Sequence, residues 1–464
     1  MLKTKREIIS DFRGVSGEVN ERLLPSSYAS VSYNFDCSDG TLKDGMGLKI
    51  MAFPQSQACR LPQGEAVKKL CYFKRFLQKE NKYKDEILIF CRSGACYRFR
   101  LDDLEPQKTD FSFEETPECK KYKYGDEDVL LLSVKGELYC YDGESLKKIE
   151  GAPEIKDMCI HNERLFVTTA GEGTTLYYSE DFNPFNFSHS LSGGGYVDFQ
   201  DERGALQRVV SSTGYLYLFR SFGISRLTAF YDQSNFSVDH LFTSTGKIYP
   251  ESITPCADGI VFLAKEGFYK LTQSGVSKIL SRYDAFLRPC DNQEAKGVYH
   301  DGCLYVKCKM KFASREEKVT VVYDVAENKT YISKGLNVAD LISVKGENFS
   351  SVVFAVENAS YLFGASESCT VDNLSLVKLW KTPLTDFNLP SVDKCVTRIE
   401  AIVAGEVTVV AESGKERRKI KLKGKDTLAA ANLKLRGKEF SFTFSSSSAG
   451  CKIYKPIITF SYYE

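Results

Sequence analysis

The stretch Ser252–Leu271, SITPCADGIVFLAKEGFYKL, decides how the chain is read. Ile260-Val261-Phe262-Leu263 is a short apolar strand. Phe268-Tyr269-Lys270-Leu271 is a return strand, rich in residues that suit a pleated surface. Ala264-Lys265-Glu266-Gly267 joins them as a tight turn, with Gly267 free to take positive φ. Asp258-Gly259 marks the turn that leads in. The unit is therefore turn, strand, tight turn, strand.

The same phrase recurs along the chain. It returns as Ser93-Gly94-Ala95-Cys96-Tyr97-Arg98-Phe99 and Lys135-Gly136-Glu137-Leu138-Tyr139-Cys140-Tyr141. Further copies begin at Asn162-Glu163, Thr213-Gly214, Asp301-Gly302 and Asn358-Ala359, each followed by an apolar or aromatic run. The gaps are irregular, mostly about 40 to 55 residues, the length of a four-stranded propeller blade. This predicts an all-β chain: a β-propeller of six or seven blades over residues 56–380. Residues 1–55 hold the turn Ser38-Asp39-Gly40-Thr41-Leu42 between two strands. A segment of this kind adds a strand to the last blade and closes the ring, removing exposed edges.

Character changes at Trp380–Lys394, WKTPLTDFNLPSVDK, which has two prolines and no periodicity. Residues 381–394 are expected as a linker. Beyond it, Val407-Thr408-Val409 and Phe440-Ser441-Phe442-Thr443-Phe444 alternate with period two. Residues 395–464 are expected to form a small C-terminal β-sandwich.

The chain has 62 basic and 61 acidic residues, a formal net charge of +1. Nucleic-acid contact would therefore have to sit in a local patch. No apolar run is long enough to span a membrane as a helix, and the charged start MLKTKREIISDFRGVSG does not read as a signal peptide. Fifteen cysteines contain no CxxC and sit mostly inside apolar strands, which predicts reduced thiols.

The sharpest charge feature is Lys415–Lys425, KERRKIKLKGK. Arg417, Arg418, Lys419, Lys421, Lys423 and Lys425 oppose only Glu416. On a strand, Lys419, Lys421, Lys423 and Lys425 share a face opposite Ile420 and Leu422. That face is a candidate contact for DNA phosphates or an acidic partner, or else a lysine-guarded sheet edge. No HExxH, GxSxG or P-loop occurs, and the four histidines (His161, His189, His240, His300) are far apart. Neither a catalytic residue, a cofactor nor a metal is expected. Propellers include glycosidases, and Ser179-Glu180-Asp181 loosely matches the start of the sialidase Asp-box, but the Gly and Trp of that motif are missing. Arg164, Arg203, Arg208, Arg220 and Arg226 are the arginines such an enzyme would need to cluster. The aromatic residues Phe182, Phe185, Tyr231 and Phe236 in long loops motivate a glycan- or receptor-binding alternative.

Three stretches resemble the β-propeller tail proteins of tailed bacteriophages, the nozzle or stabilisation proteins that close a short tail. The first is Tyr33-Asn34-Phe35-Asp36 with Gly40-Thr41-Leu42-Lys43-Asp44-Gly45-Met46-Gly47, where Asp44-Gly45-Met46 stands at the place of the family's usual arginine. The second is Asn162-Glu163-Arg164-Leu165-Phe166 followed by Tyr178–Phe187, YSEDFNPFNF. The third joins Thr245-Gly246, Ser252-Ile253 and Gly259–Tyr269 with Thr382-Pro383-Leu384-Thr385-Asp386-Phe387 and Lys394. The resemblance implies a non-enzymatic virion protein, assembled in the bacterial host cytoplasm into a homo-oligomeric ring, expected as a hexamer. It also implies contact with other tail or adaptor proteins and with DNA passing through the channel.

Overall fold

The turns set the architecture. At Lys135-Gly136, Asn162-Glu163, Thr213-Gly214 and Asp301-Gly302 both central residues have φ between 44° and 85°. Two-residue turns of this hand match the right-handed twist of the strands they join, so each forces a tight antiparallel hairpin. In the computed structural model, which describes residues 1–463 apart from 57, 170, 172, 190–192 and 230–232, these hairpins build four-stranded sheets.

Six such sheets follow in chain order, each meandering from its first strand to its fourth. Blade 1 runs from Val67–Leu77 to Gln107–Ser112, blade 2 from Glu118–Tyr124 to Leu146–Ile149, and blade 3 from Ile155–His161 to Gly195–Asp198. Blade 4 runs from Leu206–Ser212 to Ser237–Thr243, blade 5 from Thr254–Cys256 to Gly275–Ile279, and blade 6 from Lys296–His300 to Lys329–Lys334. Blade 7 takes three strands from Val338–Lys345, Ser350–Val356 and Leu362–Ser366. Its fourth is Gly47–Ile50, paired antiparallel with Phe363–Ser366. The first strand of blade 7 packs against that of blade 1, so the propeller is a closed ring of seven blades.

The irregular spacing of the repeated phrase has a simple cause. Asn162-Glu163, Thr213-Gly214 and Asp301-Gly302 join the first and second strands of their blades. Ser93-Gly94 and Lys135-Gly136 join the second and third. The phrase marks two different hairpins that lie on opposite faces of the disc.

The C-terminal strands form a separate sheet of seven strands. Its spine is the hairpin Lys394–Ser413 with Glu416–Gly437, 20 and 22 residues long, bent where the register shifts at Val403-Ala404, so that Arg418 donates to the carbonyl of Lys434 in the same strand at 3.2 Å. On its other side, Lys394–Ser413 pairs first with Lys452–Tyr463 and then with Ser441–Ser446. Leu2–Ile8 extends the first half, and Lys378–Lys381 with Val31–Tyr33 extends the second. All seven strands hydrogen-bond as one continuous sheet that bends at Val403-Ala404. Phe387 packs on Phe460 of one half and on Phe440 and Phe442 of the other, so the two halves face each other as the layers of the expected sandwich, against the N-terminal segment and the propeller. Phe440, Phe442, Phe444, Val407 and Ile453 belong to one buried cluster with Phe12 and Leu42, and with Val261, Leu263 and Leu304 of blades 5 and 6.

Residues 9–45 fasten the two parts. The side chain of Asn34, 2% exposed, donates to the carbonyls of Lys334 in blade 6 and Val377, and accepts from the Lys334 amide. Leu42 bridges Ile453 by paired backbone hydrogen bonds of 3.2 and 2.9 Å. Asp44 forms a buried ion pair with Lys378 at 2.8 Å and accepts the amides of Gly450 and Cys451. Residues 382–393 are also pinned: Thr382 and Thr385 bond the backbone of Phe442 and Phe440, and Phe387 stacks on Phe460 at 4.3 Å. The fifteen cysteines are free thiols. Among the described residues no helix is long and apolar enough to cross a membrane.

Two outcomes follow from this construction. Leu48, fully buried in the closing strand, should cost about 2–5 kcal/mol when replaced by alanine, read as a lower urea midpoint. Trp380, the single tryptophan, is buried in the terminal sheet 4.8 Å from Phe12. Its fluorescence should change in the same transition as the far-ultraviolet circular dichroism, because sheet and propeller share one core. Two separated transitions would contradict that coupling.

Candidate functional site

The first strands of the blades line the central channel, and four begin alike. An apolar residue is followed by a bulge and then a charged side chain: Val67-Lys68-Lys69, Ile155-Lys156-Asp157, Leu206-Gln207-Arg208 and Val338-Ala339-Asp340. A bulge inserts one extra residue and re-aims the side chain that follows. Asp157 and Asp340 use this geometry to accept an amide of the next blade, Val209 and Leu70 respectively, each at 2.7 Å. Two blade-to-blade contacts are thus made by carboxylates rather than by apolar packing.

The remaining charges pair across the channel mouth. Lys69 meets Glu118, Lys296 meets Asp340 at 2.5 Å, and Arg208 meets Glu251 at 3.5 Å. Lys156 donates to Gln207 at 2.8 Å, and Lys307 to the carbonyl of Ala339. A cavity of about 640 Å³ opens here, bounded mainly by blades 6, 7 and 1, and Lys68, Lys69, Glu251, Lys296, Lys307 and Asp340 are among its walls.

Glu251 is the electrostatic centre. Its side chain is about one-third exposed and is surrounded by cations. Burial acts to raise its pKa, but Arg208, Lys69, Lys296 and Lys120 together outweigh burial and hold it down to about 2. Burial likewise works against the Lys69 ammonium, and Glu118 and Glu251 overcome it and raise the pKa. Lys307 goes the other way: burial lowers its pKa, and the nearby Asp340 only partly compensates. At neutral pH the mouth is a lattice of fixed, mutually neutralising charge. Such a lattice holds position and recognises charged groups; a carboxylate held near 2 is far from the range suited to general acid–base work at neutral pH.

The basic residues singled out in the sequence lie elsewhere. Arg417, Arg418, Lys419, Lys421, Lys423 and Lys425 occupy the exposed start of Glu416–Gly437 in the terminal sheet. The alternation is as expected, with Leu422 buried and Ile420 half-buried between exposed lysines. Neither the histidines nor the five arginines gather into one site. His161 and His300 each end a first strand and bond a serine of the next blade, Ser211 and Ser343, at 2.8 Å. His240 bonds Ser225 at 3.1 Å. Arg164 pairs with Asp181 at 2.6 Å, Arg220 with Asp201 at 2.7 Å, and Arg226 with Asp239 at 2.7 Å. Glu180 accepts from Asn183 and Asn186, so the stretch resembling an Asp-box is an internally bonded loop. Of the loop aromatics, Phe185 packs on Tyr124 and Phe236 on Tyr178, while Phe182 is 64% exposed. Tyr231 lies outside the described residues. Among the described residues no group of three His, Cys, Asp or Glu side chains is placed to hold a metal ion.

The channel lattice escaped the sequence reading, although a signal existed. Aligning blades at their first strands, rather than at their turns, would have stacked Lys69, Asp157, Arg208 and Asp340 in one column.

No family model and no curated protein matches the chain. Among solved structures it is similar to a chain of BBS1N in complex with ARL6DN, at 11% identity and a TM-score of 0.44, covering 72% of this chain and 97% of that one. It is also similar to the Pan2 WD40 domain of Neurospora crassa, at 11% identity and a TM-score of 0.43, covering 68% and 97%. At such identity the likeness concerns the fold alone. The protein is thus a seven-bladed β-propeller carrying a separate C-terminal sheet.

His161 and His300 make stability depend on pH. Burial lowers both pKa values, for His300 against the pull of Asp301. Each ring is held neutral in the folded chain, whereas the unfolded ring titrates near 6.5. Their contribution is present above about pH 6.5 and is lost as pH falls through the folded values. The denaturation midpoint should therefore fall between about pH 7 and about pH 5, and fall less in the His161→Gln, His300→Gln double variant. An equal fall in both proteins would remove these histidines as the cause.

Proposed function

We propose that the protein is a non-catalytic structural component of a bacteriophage tail, one subunit of a homo-oligomeric ring around the DNA channel that contacts neighbouring tail or adaptor proteins. One observation carries the reading. Two of the stretches that resemble tail propeller proteins contribute to the junction between propeller and terminal sheet. Asn34, Leu42 and Asp44 come from the first, and Thr382, Thr385 and Phe387 from the third. They weld two bodies into a single rigid part, which is what a load-transmitting ring subunit requires. Breaking one partner from a buried pair such as Asp44–Lys378 costs about 3–5 kcal/mol, so the junction is not readily loosened. The charge pairs of the channel mouth favour a scaffold in the same way, because Lys69, Lys296 and Arg208 are engaged by carboxylates of the same chain.

A receptor- or glycan-binding role at the tail tip is the second reading, and exposed Phe182 on its loop favours it. Glycan-array binding lost on Phe182→Ala would select that reading.

Electron microscopy of purified protein and of particles tests the first. It should show a cyclic oligomer and the same ring at the tail. A stable monomer that is absent from particles would remove the proposal.

A further inference from the structure

Among the described residues Glu416–Gly437 pairs as a strand on one side only, to Lys394–Ser413, and no further strand pairs with its other edge, although Arg418 donates to the carbonyls of Arg417 and Lys434 within it. A free edge is a row of unpaired N–H and C=O groups that accepts a further strand. The first half of this edge is basic. Arg417, Arg418 and Lys421 have Glu412, Glu416 and Glu406 at 3.5, 3.6 and 2.6 Å. Among the described residues no carboxylate lies within ion-pair distance of Lys419, Lys423 or Lys425.

The outermost strands of the blades are the other free edges, and they differ in charge. Leu146–Ile149 and Lys329–Lys334 carry lysine and no acid, and Gly275–Ile279 carries Lys278 alone. Asp239 on Ser237–Thr243 is already paired with Arg226. Gly195–Asp198 of blade 3 carries Asp198, which accepts from Thr175, and no base; blade 1 gathers the most acid. Its outer strand Gln107–Ser112 and the flanking loops present Asp102, Asp103, Glu105, Asp110, Glu114 and Glu115 against Lys108, all exposed except half-buried Asp103, with Glu114 alone of them ion-paired, to Lys135. Leu104, 76% exposed, lies among them. Within one chain both edges remain open, so neither covers the other.

We propose that these two edges meet between copies: the basic edge of Glu416–Gly437 in one copy docks on the acidic outer edge of blade 1 in the next. The two surfaces are different, so the contact is head-to-tail, and repetition of it closes a ring. Lysines on a strand edge ordinarily deter strand addition. An acidic partner edge converts that deterrent into a selector, because the outer strands of blades 2, 5 and 6 offer lysines, most of them already ion-paired, and no free carboxylate. This inference rests on the ring reading above and names its contact.

Charge exchange tests it on the full-length protein. One variant carries Lys419→Glu, Lys423→Glu and Lys425→Glu, and the other Asp110→Lys, Glu114→Lys and Glu115→Lys. All six positions are exposed, so both variants should fold, with circular dichroism as the check. In sedimentation velocity the wild type is expected to associate, with affinity falling at least about tenfold between about 0.05 and about 0.5 M salt. Each variant alone is expected to sediment as a monomer. An equal mixture should reassemble, because the acidic edge of one meets the basic blade of the other. Assembly of either variant like the wild type, or a mixture that stays monomeric, overturns the contact. Rings formed by either variant alone would discard this contact and keep the ring reading. A wild type that is monomeric and absent from particles discards both. If the lysine variant associates normally but loses binding to duplex DNA, the strand belongs to DNA and the contact is again overturned.

Discussion

Closure of the propeller by Gly47–Ile50 is the constraint on which the rest of the molecule depends. A ring of antiparallel sheets is stable only if its last blade has a full complement of strands, since an open edge is both a weak point and an invitation to pair with another chain. Here the missing strand comes from the opposite end of the chain. Everything before Gly47 must then arrive at blade 7 from outside the ring. Residues 9–45 make that approach across blades 5 and 6, and the terminal sheet is built upon them. The buried Asn34 amide and the Asp44–Lys378 pair are the fastenings that this route makes available.

Charge organises the molecule at two places and in opposite ways. At the channel mouth, cations and carboxylates are enclosed and cancel one another, which is the condition for keeping ionised groups out of bulk water. Glu251 remains ionised because four cations outweigh its burial. On the terminal hairpin the basic side chains are exposed and only half of them have an acidic neighbour. The first arrangement fixes the blades relative to one another. The second leaves charge free to be used outside the chain.

The terminal sheet also shows how one long bent strand runs through two layers. Lys394–Ser413 serves two different ribbons end to end on one side and its hairpin partner on the other. The inner face alternates as Val407, Val409 and Ala411, all buried, while Thr408 and Glu412 face outward. The period-two pattern of the sequence marks this face correctly. It contains no information on the bend at Val403-Ala404 that lets one continuous strand serve both layers of the sandwich, or on the propeller residues that share its core.

What the sequence by itself determined was local. Turn pairs such as Lys135-Gly136 and Asp301-Gly302 select hairpins, because their backbone geometry and the strand alternation beside them act over a few residues. The exposed lysine face of Lys419, Lys421 and Lys423 was legible for the same reason. The count of seven blades, the source of the closing strand, the joining of Leu2–Ile8 to the terminal sheet and the ion pairs around Glu251 were decided only by the tertiary structure. Each depends on which strands meet in space, and pairing between distant segments is set by packing and loop closure over the whole chain, not by the residues of either segment alone.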